Sequence, residues 1–288
     1  MSQLDRFIPG VPCWVEAHQP DPVAAGTFYA GLFGWDCKDT MPADSPDPYL
    51  VARLDGRDVA AIGPVPEWHG SGPTWITYVR VATVDDAVAR AVEAGGRVLS
   101  EASDVGDSGR MAAFADPEGA VLCVWEAARF PGAEAVNEHG AVIFNDLATP
   151  DLAGAEAFYG AVFGWGLLGM GDGAMWVLPG YGDHLEQLRP GTLDGLDDGG
   201  TPAGYENVVA SVRTIPDDPD DGSAGWGVTF GVDDTDAIAA RAEELGGTVL
   251  QPPMDLPWVR MCVIADPQGA VFTASQYVPD NAPEAGVG

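Results

Sequence analysis

A ten-residue stretch occurs twice in this chain, and a sequence written twice has few folds open to it. Gly26-Thr-Phe-Tyr-Ala-Gly-Leu-Phe-Gly-Trp35 returns as Glu156-Ala-Phe-Tyr-Gly-Ala-Val-Phe-Gly-Trp165, with Phe28, Tyr29, Phe33, Gly34 and Trp35 all shifted by 130 positions. A second block, Arg110 to Val121 with Asp116-Pro-Glu-Gly119 inside it, returns as Arg260 to Val271 with Asp266-Pro-Gln-Gly269, now shifted by 150. The pair Gly95-Gly96 lies between the blocks and recurs as Gly246-Gly247. Repeats in the same order at this spacing mean a duplicated domain, with about 20 residues inserted in the second copy.

A chain of 288 residues accommodates two ordinary domains. Its 46% hydrophobic content is that of a globular protein, and no apolar run approaches the ~20 residues of a membrane span. The start, Met-Ser-Gln-Leu-Asp-Arg6, shows no signal peptide, so a cytoplasmic location is expected. Cys13, Cys37, Cys123 and Cys262 form no Cys-x-x-Cys pair, which leaves zinc ribbons and redox motifs unsupported. Against 44 acidic residues stand 13 basic ones, with Lys38 the sole lysine, for a net charge of −31. Such a surface repels phosphate backbones and anionic lipid, so neither nucleic acid nor membrane is expected as a partner.

Along the chain, Val11–His18 reads as a strand. Asp21 and Pro22 then start a helix carrying Val23, Phe28 and Leu32 on one face and ending at Gly34. Tyr49–Leu54 and Asp58–Gly63 alternate as strands around Asp55-Gly56, a hairpin signal. The segment from Pro64 to Pro73 reads as a linker holding His69. The order then restarts with strand Trp75–Ala82, a helix striped by Ala87, Val88, Ala91 and Val92, and three more strands up to Glu126. Each domain is thus α+β, made of two βαβββ halves, at 1–130 and 137–280, with a tail at 281–288. In the second domain, Met175–Leu178 and His184–Leu188 are expected as strands. Pro190 to Gly225, with Asp217-Asp-Pro-Asp-Asp221, is expected as an inserted surface loop.

The repeated Phe-Tyr…Gly-Trp, Gly-Gly and Asp-Pro-x-Gly pieces resemble the vicinal oxygen chelate superfamily of glyoxalase I, bleomycin-resistance proteins and extradiol dioxygenases. More narrowly, they resemble the tandem glyoxalase-like proteins of actinobacteria, which are labelled hydroxylases where they accompany antibiotic pathways. The resemblance implies that each domain curls its two halves into an open barrel around one cavity. In metal-dependent members the ligands come from the first, fifth and last strands of a domain. Carried over by motif, those positions are Trp14, Ile76 and Cys123 in the first domain, and Phe144, Gly227 and Thr273 in the second. One thiol cannot hold a divalent metal that needs two or three N or O donors, so no metal and no other cofactor is expected.

Strand alternation puts Trp14, Glu16 and His18 on one face, and Phe144 and Asp146 on another. With Tyr78, Cys123, Trp125, Trp176, Trp226 and Thr273, these residues form the expected ligand-lining set: an aromatic cleft with a few polar groups, suited to a flat organic ligand. The same aromatics could equally fill the barrel core. Two pairs, Glu16-x-His18 and His184-x-Glu186, each place an imidazole and a carboxylate on one presumed strand face, as an acid–base pair or a relocated metal site would. Chemistry is expected in the second domain, at His184 and Glu186 with Asp146 across the cavity, because Val59 and Ala61 occupy the matching places in the first. Three functions stay open. One is a metal-independent enzyme that hydroxylates, cyclises or isomerises an aromatic or polyketide-like natural product. Another is a non-catalytic antibiotic-binding resistance protein, and the third is a metal-dependent lyase or dioxygenase. A monomer or homodimer with a small aromatic ligand fits the first two.

Overall fold

The computed structural model describes residues 6–42, 45, 47–70, 72–170, 173–194, 201–216 and 224–281. The first repeat runs β1 (Pro12–Gln19), α1 (Pro22–Phe33), β2 (Asp36–Asp39), β3 (Leu50–Leu54) and β4 (Arg57–Pro64). It continues with β5 (Thr74–Arg80), α2 (Val84–Glu93), β6 (Arg97–Val105), β7 (Gly109–Ala115) and β8 (Val121–Ala127). The second runs β9 (Val142–Thr149), α3 (Leu152–Phe163), β10 (Gly166–Met170), β11 (Gly173–Val177), α4 (Tyr181–Leu188) and β12 (Val208–Thr214). It ends with β13 (Gly225–Gly231), α5 (Thr235–Glu244), β14 (Thr248–Leu256), β15 (Val259–Ala265) and β16 (Val271–Tyr277). Each repeat forms one open eight-stranded sheet, in the orders β2-β3-β4-β1-β5-β8-β7-β6 and β10-β11-β12-β9-β13-β16-β15-β14. The architecture is therefore the expected α+β tandem of βαβββ halves. No helix among the described residues is long and apolar enough to cross a membrane.

The doubled Phe-Gly-Trp has a local explanation. Asp21 and Asp151 cap α1 and α3 by accepting the N–H of Ala24 and Gly154. Gly34 and Gly164 end these helices at φ 74° and 78°, left-handed backbone that a Cβ would strain. The tryptophan that follows is pinned by its indole N–H, Trp35 to the Gly140 carbonyl at 2.8 Å and Trp165 to that of Gly10 at 2.7 Å.

The chain condenses into two compact units, and each draws on both repeats. One unit comprises 1–13, 77–132 and 145–226; the other comprises 14–76, 133–144 and 227–288. In the first unit Phe114 packs on Phe158 and Phe163, and Tyr159 lies against Trp165, Trp176 and Trp226. In the second, Tyr29, Phe33 and Trp35 gather around Trp75, Phe230 and Phe272. The bulk is distributed differently in the two cores. Trp176, opposite Ala210, takes the place that Ala52, opposite Ala60, holds in the other unit. Val79 and Leu122 stand where the other unit has Phe230 and Phe272. Close packing demands such exchange, because added volume on one wall must be removed from another.

A buried hydrogen-bond chain closes each core. In the first unit Trp226 donates to the Tyr159 hydroxyl at 2.9 Å, and Tyr159 donates to Asp116 Oδ2 at 2.8 Å. Asp116 Oδ1 accepts the backbone N–H of Glu118 and Ala120. In the second unit Trp75 donates to Tyr29 at 3.0 Å and Tyr29 to Asp266 Oδ2 at 2.9 Å, while Gln19 adds a 2.6 Å bond to the same oxygen. Burial pushes both tyrosine hydroxyls well above their ordinary pKa, with the neighbouring aspartate adding to the shift, so they stay protonated donors. Burial also raises Asp116, against the pull of the Tyr159 and backbone donors.

Some expectations need correction. Val23 is 57% exposed and Val92 53% exposed; the buried faces are Ala25, Phe28, Tyr29, Leu32 and Phe33 on α1, and Val84, Ala87 and Ala91 on α2. Edge strand β2, Asp-Cys-Lys-Asp39, is largely exposed and carries no apolar alternation to betray it. His184–Leu188 is not a strand but the end of α4, and the region read as an inserted loop contains β12. Glu16 pairs with Ala61 and Asp146 with Ser211, so the length difference arises between β9 and β12. The connection from β10 to β11 is shorter than its counterpart, and the one from β11 to β12, where the first repeat has the Asp55-Gly56 hairpin turn, is longer by more than the net difference. The acidic run 217–221 lies outside the described residues.

Removing one hydroxyl from each chain tests this arrangement. Tyr159→Phe leaves Asp116 Oδ2 and the Trp226 N–H unpaired and should cost about 1–3 kcal/mol in urea unfolding. Tyr29→Phe should cost less, because Gln19 still serves Asp266. Equal losses would show that Gln19 contributes nothing.

Candidate functional site

Alternation along β1 sends Val15 and Ala17 into the apolar core and Trp14, Glu16 and His18 to the opposite face, all buried. Glu16 pairs in register with Ala61, and His18 with Gly63, on the parallel neighbour β4. Glu16 Oε2 accepts the Tyr49 hydroxyl at 3.1 Å, and Oε1 lies 3.4 Å from His18 Nε2. Gly63 makes this possible by having no side chain. A Cβ there would sit 3.0 Å from Glu16 Oε1 and 3.0 Å from the Tyr49 ring.

The segment after β4 completes the cluster. Trp68 and His69 stand edge-on to the His18 ring at centroid distances of 5.6 and 5.7 Å, and 5.6 Å from each other. Desolvation, followed by the proximity of His18, lowers the pKa of His69. His18 itself is 2% exposed, and its Nδ1 is buried with no hydrogen-bond partner among the described residues. Buried polar atoms are normally satisfied, and exceptions concentrate at working sites. With Nε2 turned to a carboxylate, the proton belongs on Nε2 and the lone pair on Nδ1.

The second repeat does not reproduce this group. Asp146 matches Glu16, but Ala148 stands at the place of His18 and its partner Arg213 at the place of Gly63. Sequence reasoning found Glu16 and His18 but not Tyr49, Trp68 or His69. The clue available was an adjacent Trp-His pair inside a segment otherwise rich in glycine and proline.

Other expected site residues are placed as follows. Tyr78 pairs with Cys123 and Arg80 with Trp125 between the parallel strands β5 and β8, so Tyr78, Cys123 and Trp125 share one sheet face. Trp125 donates to the Phe130 carbonyl at 2.8 Å and lies flush on Gly109, where a Cβ would come within 2.6 Å of its ring. Thr273 pairs with Thr229, and Phe144 is half-buried on β9. Trp176 and Trp226, expected to line a ligand, belong instead to the core around Tyr159.

His184 and Glu186 do not share a face. In α4, residues two apart point about 200° away from each other, since each residue turns ~100°. The Glu186 carboxylate accepts the backbone N–H of Gly191 at 2.6 Å and of Leu193 at 3.4 Å, tying down the chain after the helix. The true counterparts of Val59 and Ala61 are Val209 and Ser211 on β12.

The positions that the resemblance assigns to the superfamily's metal are Trp14, Ile76 and Cys123 in one repeat and Phe144, Gly227 and Thr273 in the other. Among the described residues no three His, Cys, Asp or Glu side chains come together as a metal-binding group. At the assigned positions only the Cys123 thiol and the Thr273 hydroxyl offer a lone pair, one per repeat, and a single donor does not fit a divalent metal that needs two or three.

Comparison with known proteins agrees with this architecture. The glyoxalase-like domain family matches twice, at residues 14–125 and 141–275, and the chain belongs to that family. It is 37% identical over 284 residues to CFP32 of Mycobacterium tuberculosis, provisionally named a glyoxylase, covering 97% of this chain and 99% of that one. It is 33% identical to the anthracycline biosynthesis protein DnrV of Streptomyces peucetius, covering 94% of each. Among solved structures, the Mn(II)-bound glyoxalase of Novosphingobium aromaticivorans shares the fold with a TM-score of 0.58 at 16% identity, over 93% of this chain and 82% of that one. The 2,3-dioxygenase LapB of Pseudomonas sp. KL28 does so with a TM-score of 0.58 at 12% identity, over 94% and 93%.

The space at Gly63 gives a direct test. Gly63→Ala should destabilise the protein by about 1–3 kcal/mol, the usual cost of overpacking. Arg213→Ala, at the matching place in the second repeat, should change stability far less. Equal effects on thermal unfolding would mean that Glu16 and Tyr49 yield without cost.

Proposed function

We propose that this protein binds and transforms a flat, polycyclic aromatic natural product in secondary metabolism, and does so without a resident metal. The observation that carries this reading is the 33% identity, over 94% of both chains, to the anthracycline biosynthesis protein DnrV. The same extent of likeness to the anthracycline biosynthesis protein DauV supports it. Hydroxylation, cyclisation and isomerisation are the reactions within the proposal. Tyr78, Cys123 and Trp125 share one sheet face, all buried, and the Tyr78 and Trp125 rings are the ones against which such a ligand would pack. The net charge of −31 disfavours anionic polymers as partners and leaves a neutral or cationic small molecule as the suitable ligand.

The 37% identity to CFP32 favours a second reading, a glyoxylase-type lyase. It is opposed by the carried-over metal positions, which offer one donor side chain per repeat, Cys123 in the first and Thr273 in the second.

A dihydroxyanthraquinone titrated into the protein should quench the emission of its nine tryptophans saturably. Trp125→Leu should weaken that binding by about 0.5–1.5 kcal/mol, the worth of a stacked aromatic pair. No saturable quenching would remove the aromatic-ligand reading. Elemental analysis of the purified protein should find no stoichiometric Mn, Fe, Ni or Zn. About one metal per domain, removable with loss of activity, would restore the lyase reading.

A further inference from the structure

We propose that His18 is a catalytic base in the first repeat, taking a proton from an enolisable aromatic ketone through its buried, unpartnered Nδ1. The proposal deepens the aromatic-ligand reading and rests on it.

Three features of the cluster point this way. The first is direction: Glu16 Oε1 lies 3.4 Å from Nε2, so the carboxylate holds the imidazole with its lone pair on Nδ1 and offsets the charge that forms when Nδ1 is protonated. The second is support. Glu16 is itself held by the Tyr49 hydroxyl at 3.1 Å, over a strand position kept open by Gly63. Glu16 and Tyr49 are therefore positioning residues, and they share no contact with the ligand in this scheme. The third is uniqueness, because Ala148 and Arg213 replace His18 and Gly63 in the second repeat. The second repeat keeps a carboxylate at Asp146 but has no imidazole two residues along the strand from it.

The chemistry available is limited to proton transfer. Around His18 stand a carboxylate, a phenol, an indole and a second imidazole, with no thiol, hydroxymethyl or amine nucleophile among the contacts described. The step balances without a co-reactant. The C–H bond next to the ligand carbonyl breaks, its electron pair enters the enolate, and its proton passes to Nδ1. The imidazolium then returns that proton to oxygen or to another carbon of the ligand, which leaves an isomer. Since His18 is 2% exposed, the ligand reaches it by displacing Trp68 and His69, both half-buried. Their segment contains Gly70 and Gly72 at φ 63° and 79°, backbone angles at which glycine turns freely.

The test uses 2-tetralone as the ketone in deuterated buffer, with NMR following deuterium entry at the α-carbon. A parallel titration with dihydroxyanthraquinone reports ligand binding. The wild type should exchange faster than buffer. His18→Gln should lose about 100-fold or more of that acceleration while still binding the anthraquinone. His139→Gln, at an imidazole whose Nδ1 accepts the Asp233 backbone N–H, should exchange at the wild-type rate. Long-range 15N–1H spectra of the wild type should show His18 protonated on Nε2, and Glu16→Gln should shift that tautomer balance. Anthraquinone binding without accelerated exchange would overturn the proposal, as would wild-type exchange in His18→Gln or a proton resident on Nδ1. Absence of anthraquinone binding would instead bring down the aromatic-ligand reading, and this proposal with it.

Discussion

A tyrosine hydroxyl donated to a buried aspartate, once in each compact unit, is the contact on which the rest of the structure depends. Tyr159 of the second repeat serves Asp116 of the first, and Tyr29 of the first serves Asp266 of the second. Neither repeat can satisfy its own Phe-Tyr or its own Asp-Pro-x-Gly turn. Each turn's own backbone serves Oδ1 of its aspartate, but the buried Oδ2 takes its side-chain donors from the other repeat, and leaving it unserved would cost about 1–3 kcal/mol. This reciprocity explains why those two stretches, out of nearly 130 residues per copy, are the ones that stayed alike. Helix contacts obey the same rule: Arg90 on α2 donates to the Val162 carbonyl of α3, and Arg241 on α5 to the Gly31 carbonyl of α1.

Where no such mutual demand operates, the copies have drifted. One core packs Trp176 where the other has Ala52. One buries a hydrogen bond between Thr77 and Asn145 at 2.7 Å, where the corresponding Val228 and Val15 of the other core are apolar. A fully paired Thr–Asn bond and two valines are both tolerable in a close-packed interior, because neither leaves a polar atom unsatisfied. Trp176 and His18 each add a buried ring nitrogen without a hydrogen-bond partner among the described residues, but only His18 has a carboxylate and a second imidazole beside it.

The loss of the superfamily's metal donors and the presence of the His18 cluster belong together chemically. A bound cation polarises a carbonyl and lowers the barrier to removing its α-proton. A carboxylate-held imidazole, four residues along the strand from Trp14, is the group proposed here to remove that proton by itself.

The duplication, the helix caps at Asp21 and Gly34, the Asp55-Gly56 hairpin and most strands could be read from the residues alone, because each depends on local backbone preference or on a period of 2 or 3.6. The resemblance carried by Phe28-Tyr29, Gly34-Trp35 and Asp116-Pro-Glu-Gly119 likewise identified the fold. What failed were judgements that depend on neighbours. His184-x-Glu186 has strand-like alternation, yet it lies in helix α4, because the fourth strand of that half is taken by Val208–Thr214 further along. Trp176 and Trp226 have the look of ligand walls, but Tyr159 draws them into the core. Conversely, nothing local marks Tyr49, Trp68 and His69 as partners of Glu16 and His18. They meet because β3 folds back on β4 and Trp68 and His69, in the segment after β4, come to stand against His18, and only tertiary structure decides which side chains a buried imidazole faces.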